Sequence, residues 1–150
     1  MKKREMKVQA IEQGTVIDHI PPQLTMQVVQ TLSAMDDFVT IGINFPSRTM
    51  GRKGVVKIAN RILNEEEVNR IAVFAPGASV NIIEDYKIVK KTKVHVPECI
   101  IGIIKCSNPK CITNSDQPVT TRFSMEQESP LQLKCHYCER HMEQESITVT

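Results

Sequence analysis

The spacing of hydrophobic and polar positions changes several times along the chain, and each change predicts an element. Lys7–Glu12 (K-V-Q-A-I-E) alternates apolar and polar residues, which predicts a half-buried strand with Val8 and Ala10 inward. Gly14 marks a turn, after which the β-branched run Thr15-Val16-Ile17 continues to Pro21–Pro22. Leu24, Val28, Leu32 and Met35 recur at helical spacing with Val29 beside them, predicting an amphipathic helix. Phe38–Phe45 reads as a strand closed by Pro46, and Pro46–Gly54, with Arg48, Arg52, Lys53 and two glycines, reads as a loop. Gly54–Ala59 is a strand with Lys57 in its middle. Asn64 opens a second helix: Glu67 completes a capping box, and Glu65 and Glu66 favour the positive end of the helix dipole. Val68, Ile71, Ala72 and Ala75 give that helix an apolar face, and Pro76–Gly77 ends it. Ser79–Ile83 and Tyr86–Val96 are the next strands, and Pro97 is a hinge.

The order β, α, β, β, α, β, with an extra strand, predicts an α+β fold whose first part is a ferredoxin-like sandwich: an antiparallel sheet with two helices over one face. Such a sheet leaves its other face available to a partner. Beyond Pro97 only short strands are expected, at Ile100–Ile104, Thr120–Met125, Leu131–Lys134 and Ser146–Thr150. The chain thus divides into residues 1–97 and a small β-rich domain at 98–150. The second is too short to bury much core, so a bound metal must supply much of its folding free energy.

That metal has a visible cage. Cys106 and Cys111 are separated by four residues, Cys135 and Cys138 by two, and 23 residues lie between the pairs. Each close pair closes a tight turn that aims two sulfurs at one ion, and the insert brings the turns face to face, as a tetrahedral zinc site requires. Ser107 and Asn108–Pro109 are turn-formers inside the first knuckle. Lys105, Lys110 and Lys134 each precede a ligand cysteine and Arg140 follows the last, which offsets the surplus negative charge of four thiolates on one divalent ion. With four cysteines present, His136 and His141 are expected to be surface histidines. A closed four-thiolate site has no open coordination position, so the zinc, one per chain, is structural. Cys99 has no sequence neighbour to pair with and is expected to be a small buried hydrophobe.

Composition narrows the function classes. Hydrophobic residues are 41% and charged residues 24% of the 150 positions, ordinary for a globular protein. Aromatics are only 4% with no tryptophan, which disfavours a base-stacking platform. The basic start Met1-Lys2-Lys3-Arg4 is followed by no apolar run, and Cys99–Ile104 is too short to span a bilayer, so a cytoplasmic protein without membrane contact is expected. In that compartment paired cysteines favour metal over disulfides. The net charge of +2 is unevenly spread: residues 1–97 carry 14 Lys/Arg against 10 Asp/Glu, and residues 98–150 carry 5 against 7. The alternative of a zinc-ribbon nucleic-acid-binding protein calls for a basic zinc half, and the basic half here is the other one. No nucleic-acid partner is therefore expected.

Four motifs in order carry a family resemblance: V-x-A-I-x-x-G-T-V-I-D-H-I-P near the start, T-I-G-I-N-F-P-S-x-x-M-G-R-K-x-x-x-K-I in the centre, A-P-x-A-x-V-N, and the cysteine pattern at the end. Over nearly its whole length the chain resembles the aspartate carbamoyltransferase regulatory chain family. The resemblance implies a non-catalytic subunit of pyrimidine biosynthesis. Its N-terminal domain binds CTP as inhibitor and ATP as activator and pairs with a second copy, while its zinc domain docks on a separate catalytic chain. The assembly so implied is a dodecamer of two catalytic trimers bridged by three regulatory dimers. The nucleotide pocket it implies has Val8, Gln9, Ala10 and Ile11 as a wall offering backbone groups to the base and Asp18 and His19 after the first turn. Lys57 and Lys91 meet the phosphates and ribose, with Asn81, Ile83, Tyr86 and Ile88 on the strands beside them.

Overall fold

A computed structural model describes residues 10–32, 36–117 and 119–149. Val8 and Gln9 lie outside the described residues, as does Met35. The expected first strand also lies largely outside them, and its described remainder, residues 10–12, is not a strand.

The N-terminal part is one five-stranded antiparallel sheet. Its strands are β1 (Gly14–Ile20), β2 (Val39–Ser47), β3 (Gly51–Ala59), β4 (Ser79–Glu84) and β5 (Lys87–Lys93), ordered β2-β3-β1-β4-β5. Helix α1 (Thr25–Thr31) follows a 3-10 turn at Pro22–Leu24, and helix α2 (Glu65–Phe74) joins β3 to β4. The first four strands and two helices are the expected βαββαβ sandwich, and β5 is a hairpin extension on its far edge. The expected loop over Pro46–Gly54 is largely strand. β2 continues through Pro46 to Ser47, β3 begins at Gly51, and only Arg48-Thr49-Met50 turn between them. Pro46 is tolerated because β2 is an edge strand, where one N–H has no ladder partner to lose.

Helix α2 starts as its sequence dictates: Asn64 accepts from the Glu67 N–H at 2.9 Å, and Glu67 accepts from the Asn64 N–H at 3.2 Å. Glu67 also holds Arg61, which donates to Asp37 at 2.7 Å and to the Leu32 carbonyl at 3.1 Å. One guanidinium thus ties the end of α1 to the start of α2.

Strand alternation sorts the sheet into two faces. Ile17 lies opposite Val56 and Val80, and these fully or nearly buried side chains join Val28, Leu32, Ile71 and Phe74 in the core under the helices. The neighbouring register row, Thr40, Lys57, Val16, Asn81 and Lys91, occupies the other face across all five strands. Gly14 permits the close β1–β3 pairing: its φ is +141°, and a Cβ there would overlap the Ile58 carbonyl oxygen.

The C-terminal part is built on β6 (Cys99–Ile101), β7 (Ile104–Lys105), β8 (Arg122–Gln127), β9 (Gln132–Cys135), β10 (His141–Glu143) and β11 (Thr148–Val149). Four of these form a sheet ordered β10-β9-β8-β6, and β11 pairs with β7. The strand expected over Ile100–Ile104 is broken in two at Gly102, whose φ is +70°. Strand β10 has no counterpart in the sequence reading, its three residues being too few to show alternation. Cys99 is exposed rather than buried, because β6 is an edge strand and its alternation turns Ile100 inward instead.

The two parts share one core. Phe74, Val94 and Val96 are contiguous with Ile100, Leu131, Met142 and Ile147. Gln144 donates to the Phe74 carbonyl at 3.3 Å, and Glu128 accepts from the Val96 N–H at 3.2 Å.

Candidate metal centre and ligand pocket

The cysteine knuckles converge as their spacing requires. Cys106, Cys111, Cys135 and Cys138 present four Sγ atoms all within 4.8 Å of one another. Cys106 and Cys138 sulfurs are 3.7 Å apart, and Cys111 and Cys135 sulfurs 3.8 Å. A tetrahedral ion with metal–sulfur bonds of about 2.3 Å sets its sulfurs about 3.8 Å apart, so the cage has the size such an ion needs.

The surroundings are ordered around those sulfurs. Thr113 donates to Cys111 Sγ at 3.2 Å. Asn108 Oδ1 accepts the Lys110 N–H at 3.1 Å, which leaves its amide NH2 for Cys138, and Asn114 donates to the carbonyls of Cys106 and Asn108 at 3.0 and 2.8 Å. Burial pushes the Cys106 thiol up to about 12 and raises Cys135. Burial acts upward on Cys138 as well. The Arg140 N–H, the Asn108 side chain and the neighbouring thiols outweigh it and bring Cys138 down to about 7. A cage that resists carrying four thiolates by itself is one that a divalent cation completes. His136 and His141 are exposed, as expected of residues outside the cage.

The second site lies on the helix-free face of the N-terminal sheet. A cavity of about 350 Å³ there is lined by Ala10, Ile11, Asp18, Lys57, Asn81, Ile83, Tyr86 and Ile88, together with Val16, Phe45, Lys53 and Val55. Its position follows from the topology, since the row through Lys57, Val16 and Asn81 forms its floor. A bulge between Ile17 and Ile20 places Asp18 at the end of β1, with His19 in the left-handed region at φ +60°. At the other end Asp85 and Tyr86, both with positive φ, make the two-residue turn between β4 and β5, and the Tyr86 N–H donates to the Glu12 carbonyl at 3.0 Å.

The charges are grouped. Lys53 Nζ is 2.9 Å from Asp18 Oδ1, whose other partner is the His19 N–H at 2.7 Å. Burial lowers the Lys57 pKa, and the negative charge of Asp18 partly opposes this. Asn81, almost fully buried, donates to the Val16 carbonyl at 3.3 Å, while its Oδ1 has no protein partner among the described residues. The pocket thus combines two ammonium groups, one carboxylate, a spare amide acceptor and apolar walls.

Two residues expected in the pocket lie beside it. Lys91 is exposed on β5, directly across from Asn81 and on the same face. His19 turns toward Ser79, with Nδ1 3.2 Å from its hydroxyl. Of the lining residues the sequence reading passed over, Val55 and Lys53 follow from period-two alternation back from Lys57, and Val16 from its place between Asp18 and Gly14. Phe45 could not be placed that way, because a bulge separates it from Gly42.

An antiparallel sheet with helices on one face and a polar cavity on the other, continuous in its core with a four-cysteine module, defines an α+β chain with a candidate ligand pocket and a candidate metal centre. Comparison with known families makes this specific. The allosteric domain of the aspartate carbamoyltransferase regulatory chain matches residues 6–95, and the metal binding domain of the same chain matches residues 98–148. Curated aspartate carbamoyltransferase regulatory chains of Pyrococcus abyssi and Parabacteroides distasonis are 51% and 47% identical to it. The first alignment covers 95% of this chain and 96% of the relative, the second 99% and 97%. The chain belongs to the aspartate carbamoyltransferase regulatory chain family. It is a non-catalytic subunit, with an allosteric and a metal-binding domain, and its partner is the catalytic chain.

Proposed function

We propose that the sheet cavity is an effector site for which CTP and ATP compete, CTP inhibiting and ATP activating the catalytic chain. The observation that carries this reading is the grouping of Lys57, Lys53 and the spare Asn81 acceptor around one cavity on the open face. A triphosphate needs fixed cations. Cytosine and adenine both carry an exocyclic amine able to donate to an amide oxygen, and Ile11, Ile83 and Ile88 give a base apolar walls. Lys91, one strand beyond Asn81, and His19, beside Asp18, extend the site at its margins.

The metal is zinc, one per chain, held by Cys106, Cys111, Cys135 and Cys138. Residues 1–97 form the sensor and pair with a second copy, and residues 98–150 dock on the catalytic chain in a cytoplasmic dodecamer of two catalytic trimers and three regulatory dimers. Linkage sets the logic: a nucleotide changes catalysis only through different affinities for two quaternary states, so opposite effectors favour opposite states. The test is calorimetric titration of the chain with CTP and with ATP, followed by assays of the reconstituted enzyme with each. Mutually exclusive binding and opposite effects on activity are expected; simultaneous, independent binding of the two overturns the reading.

A further inference from the structure

We infer that Phe45 is a positioning residue of the sheet cavity, which holds Lys53 in place through a contact that only Gly42 allows. This rests on the nucleotide reading of the cavity for its ligand, but not for its geometry.

The β2–β3 ladder shifts register between Gly42 and Phe45, and Asn44 in this bulge has φ +67°. A bulge adds a residue to one strand and re-aims the side chains beyond it. Here it brings Phe45 onto the cavity face, directly opposite Lys53. Its ring lies back over Gly42: a Cβ built there would overlap Phe45 Cε2 and Cζ. The missing side chain at position 42 is therefore the space the ring occupies.

Directly opposed residues of an antiparallel pair have neighbouring side chains. Phe45 and Lys53 thus stand opposite each other across β2 and β3, and both line the cavity. Asp18 engages the Lys53 ammonium from the β1 side at 2.9 and 3.1 Å, and the Lys53 side chain is only 21% exposed. A lysine fixed between a ring and a carboxylate presents its charge to the cavity without first giving up the rotamers of a four-carbon stem, and that preorganisation is what an anionic ligand gains. An aromatic wall has no charge for a phosphate, so its contribution passes through Lys53.

The test uses the full chain with Phe45→Ala, Phe45→Leu and Gly42→Ala, the last displacing the ring while leaving it present. Acetylation of each lysine by limiting acetic anhydride is followed by mass spectrometry without ligand, and CTP affinity is measured separately. In Phe45→Ala and Gly42→Ala, Lys53 should acetylate several-fold faster while the half-buried Lys134 reacts at the wild-type rate; general loosening of the fold would accelerate both. CTP affinity should fall about fivefold, the worth of ordering one long side chain. Phe45→Leu, which restores apolar bulk, should recover most of both. Unchanged Lys53 acetylation in Phe45→Ala and Gly42→Ala overturns the assignment, as does unchanged affinity where the wild-type chain binds CTP. Failure of the wild-type chain to bind CTP counts against the nucleotide reading alone, because the acetylation comparison contains no nucleotide.

Discussion

The sulfurs of Cys106 and Cys138 stand 3.7 Å apart although the two residues are 32 positions apart in the chain. Two different turns, one after β7 and one after β9, meet at that pair, so whatever fills the cage closes the C-terminal module. Removing the metal with a chelator should abolish amide-exchange protection in β8 and β9 while β1, β3 and β4 stay protected. Metal analysis of the purified chain should give about one zinc per chain, falling to a small fraction in Cys138→Ser. Loss of metal should also prevent assembly with catalytic chains; assembly that survives chelation would show that docking does not depend on the cage.

Lys57 carries a prediction with two opposite signs. Its pKa is lowered in the folded chain, chiefly by burial. For a lysine this means the folded state binds its proton less tightly than the unfolded state does. The associated stability is present above the unfolded-state pKa and is lost as pH falls through the folded-state value, so at neutral pH the charged side chain is a cost to the empty fold. Lys57→Met should therefore raise the melting temperature of the empty chain slightly and weaken both CTP and ATP. Nucleotide affinity of the wild type should decline on the alkaline side beginning below the ordinary lysine pKa, and Lys57→Met should flatten that limb. An identical alkaline limb in the variant would remove Lys57 from the phosphate contacts.

Arg61 should matter to stability rather than to binding. Asp37 foremost, then Glu67, hold its pKa above the usual arginine value, and its side chain is about three-quarters buried. Arg61→Met leaves two carboxylates and the Leu32 carbonyl without this donor, and should destabilise the chain by about 2 kcal/mol in chemical denaturation. Nucleotide affinity measured well below the melting temperature should remain near wild type.

Gly14→Ala tests the β1–β3 approach. The added methyl would meet the Ile58 carbonyl, and the φ of +141° is a conformation alanine avoids. A loss of about 2–3 kcal/mol is expected, larger than the usual cost of glycine replacement at a surface turn. A neutral result would mean that the strands separate there at little cost.

Much of this was legible in the sequence, for identifiable reasons. The capping box at Asn64 and Glu67 and the cysteine knuckles are local patterns, decided by residues a few positions apart, and they appear where their spacing places them. The order of helices and strands from Gly14 to Lys93 followed from periodicity. Bulges and edges were hidden: the re-aiming of Phe45, the break at Gly102 and the exposure of Cys99 depend on neighbours in space. Pocket membership divides in the same way. Lys53 shares the parity of Lys57 along one strand, whereas its pairing with Asp18 is a fact of the sheet.

The sheet of the N-terminal module is a single layer of chain, and adjacent residues serve its two sides. Val16 borders the cavity while Ile17 is wholly enclosed beneath the helices. Asn81 and Val80 divide in the same way. No intervening layer can absorb a tilt of β1 or β4, so an occupant that rotates either strand must move both surfaces together, like a hand pressed on one side of a drumskin. Helix α2, resting on the far side, ends at Phe74, whose carbonyl Gln144 of the metal module already holds. One strand, one helix and that hydrogen bond form a continuous path from the pocket to the metal module.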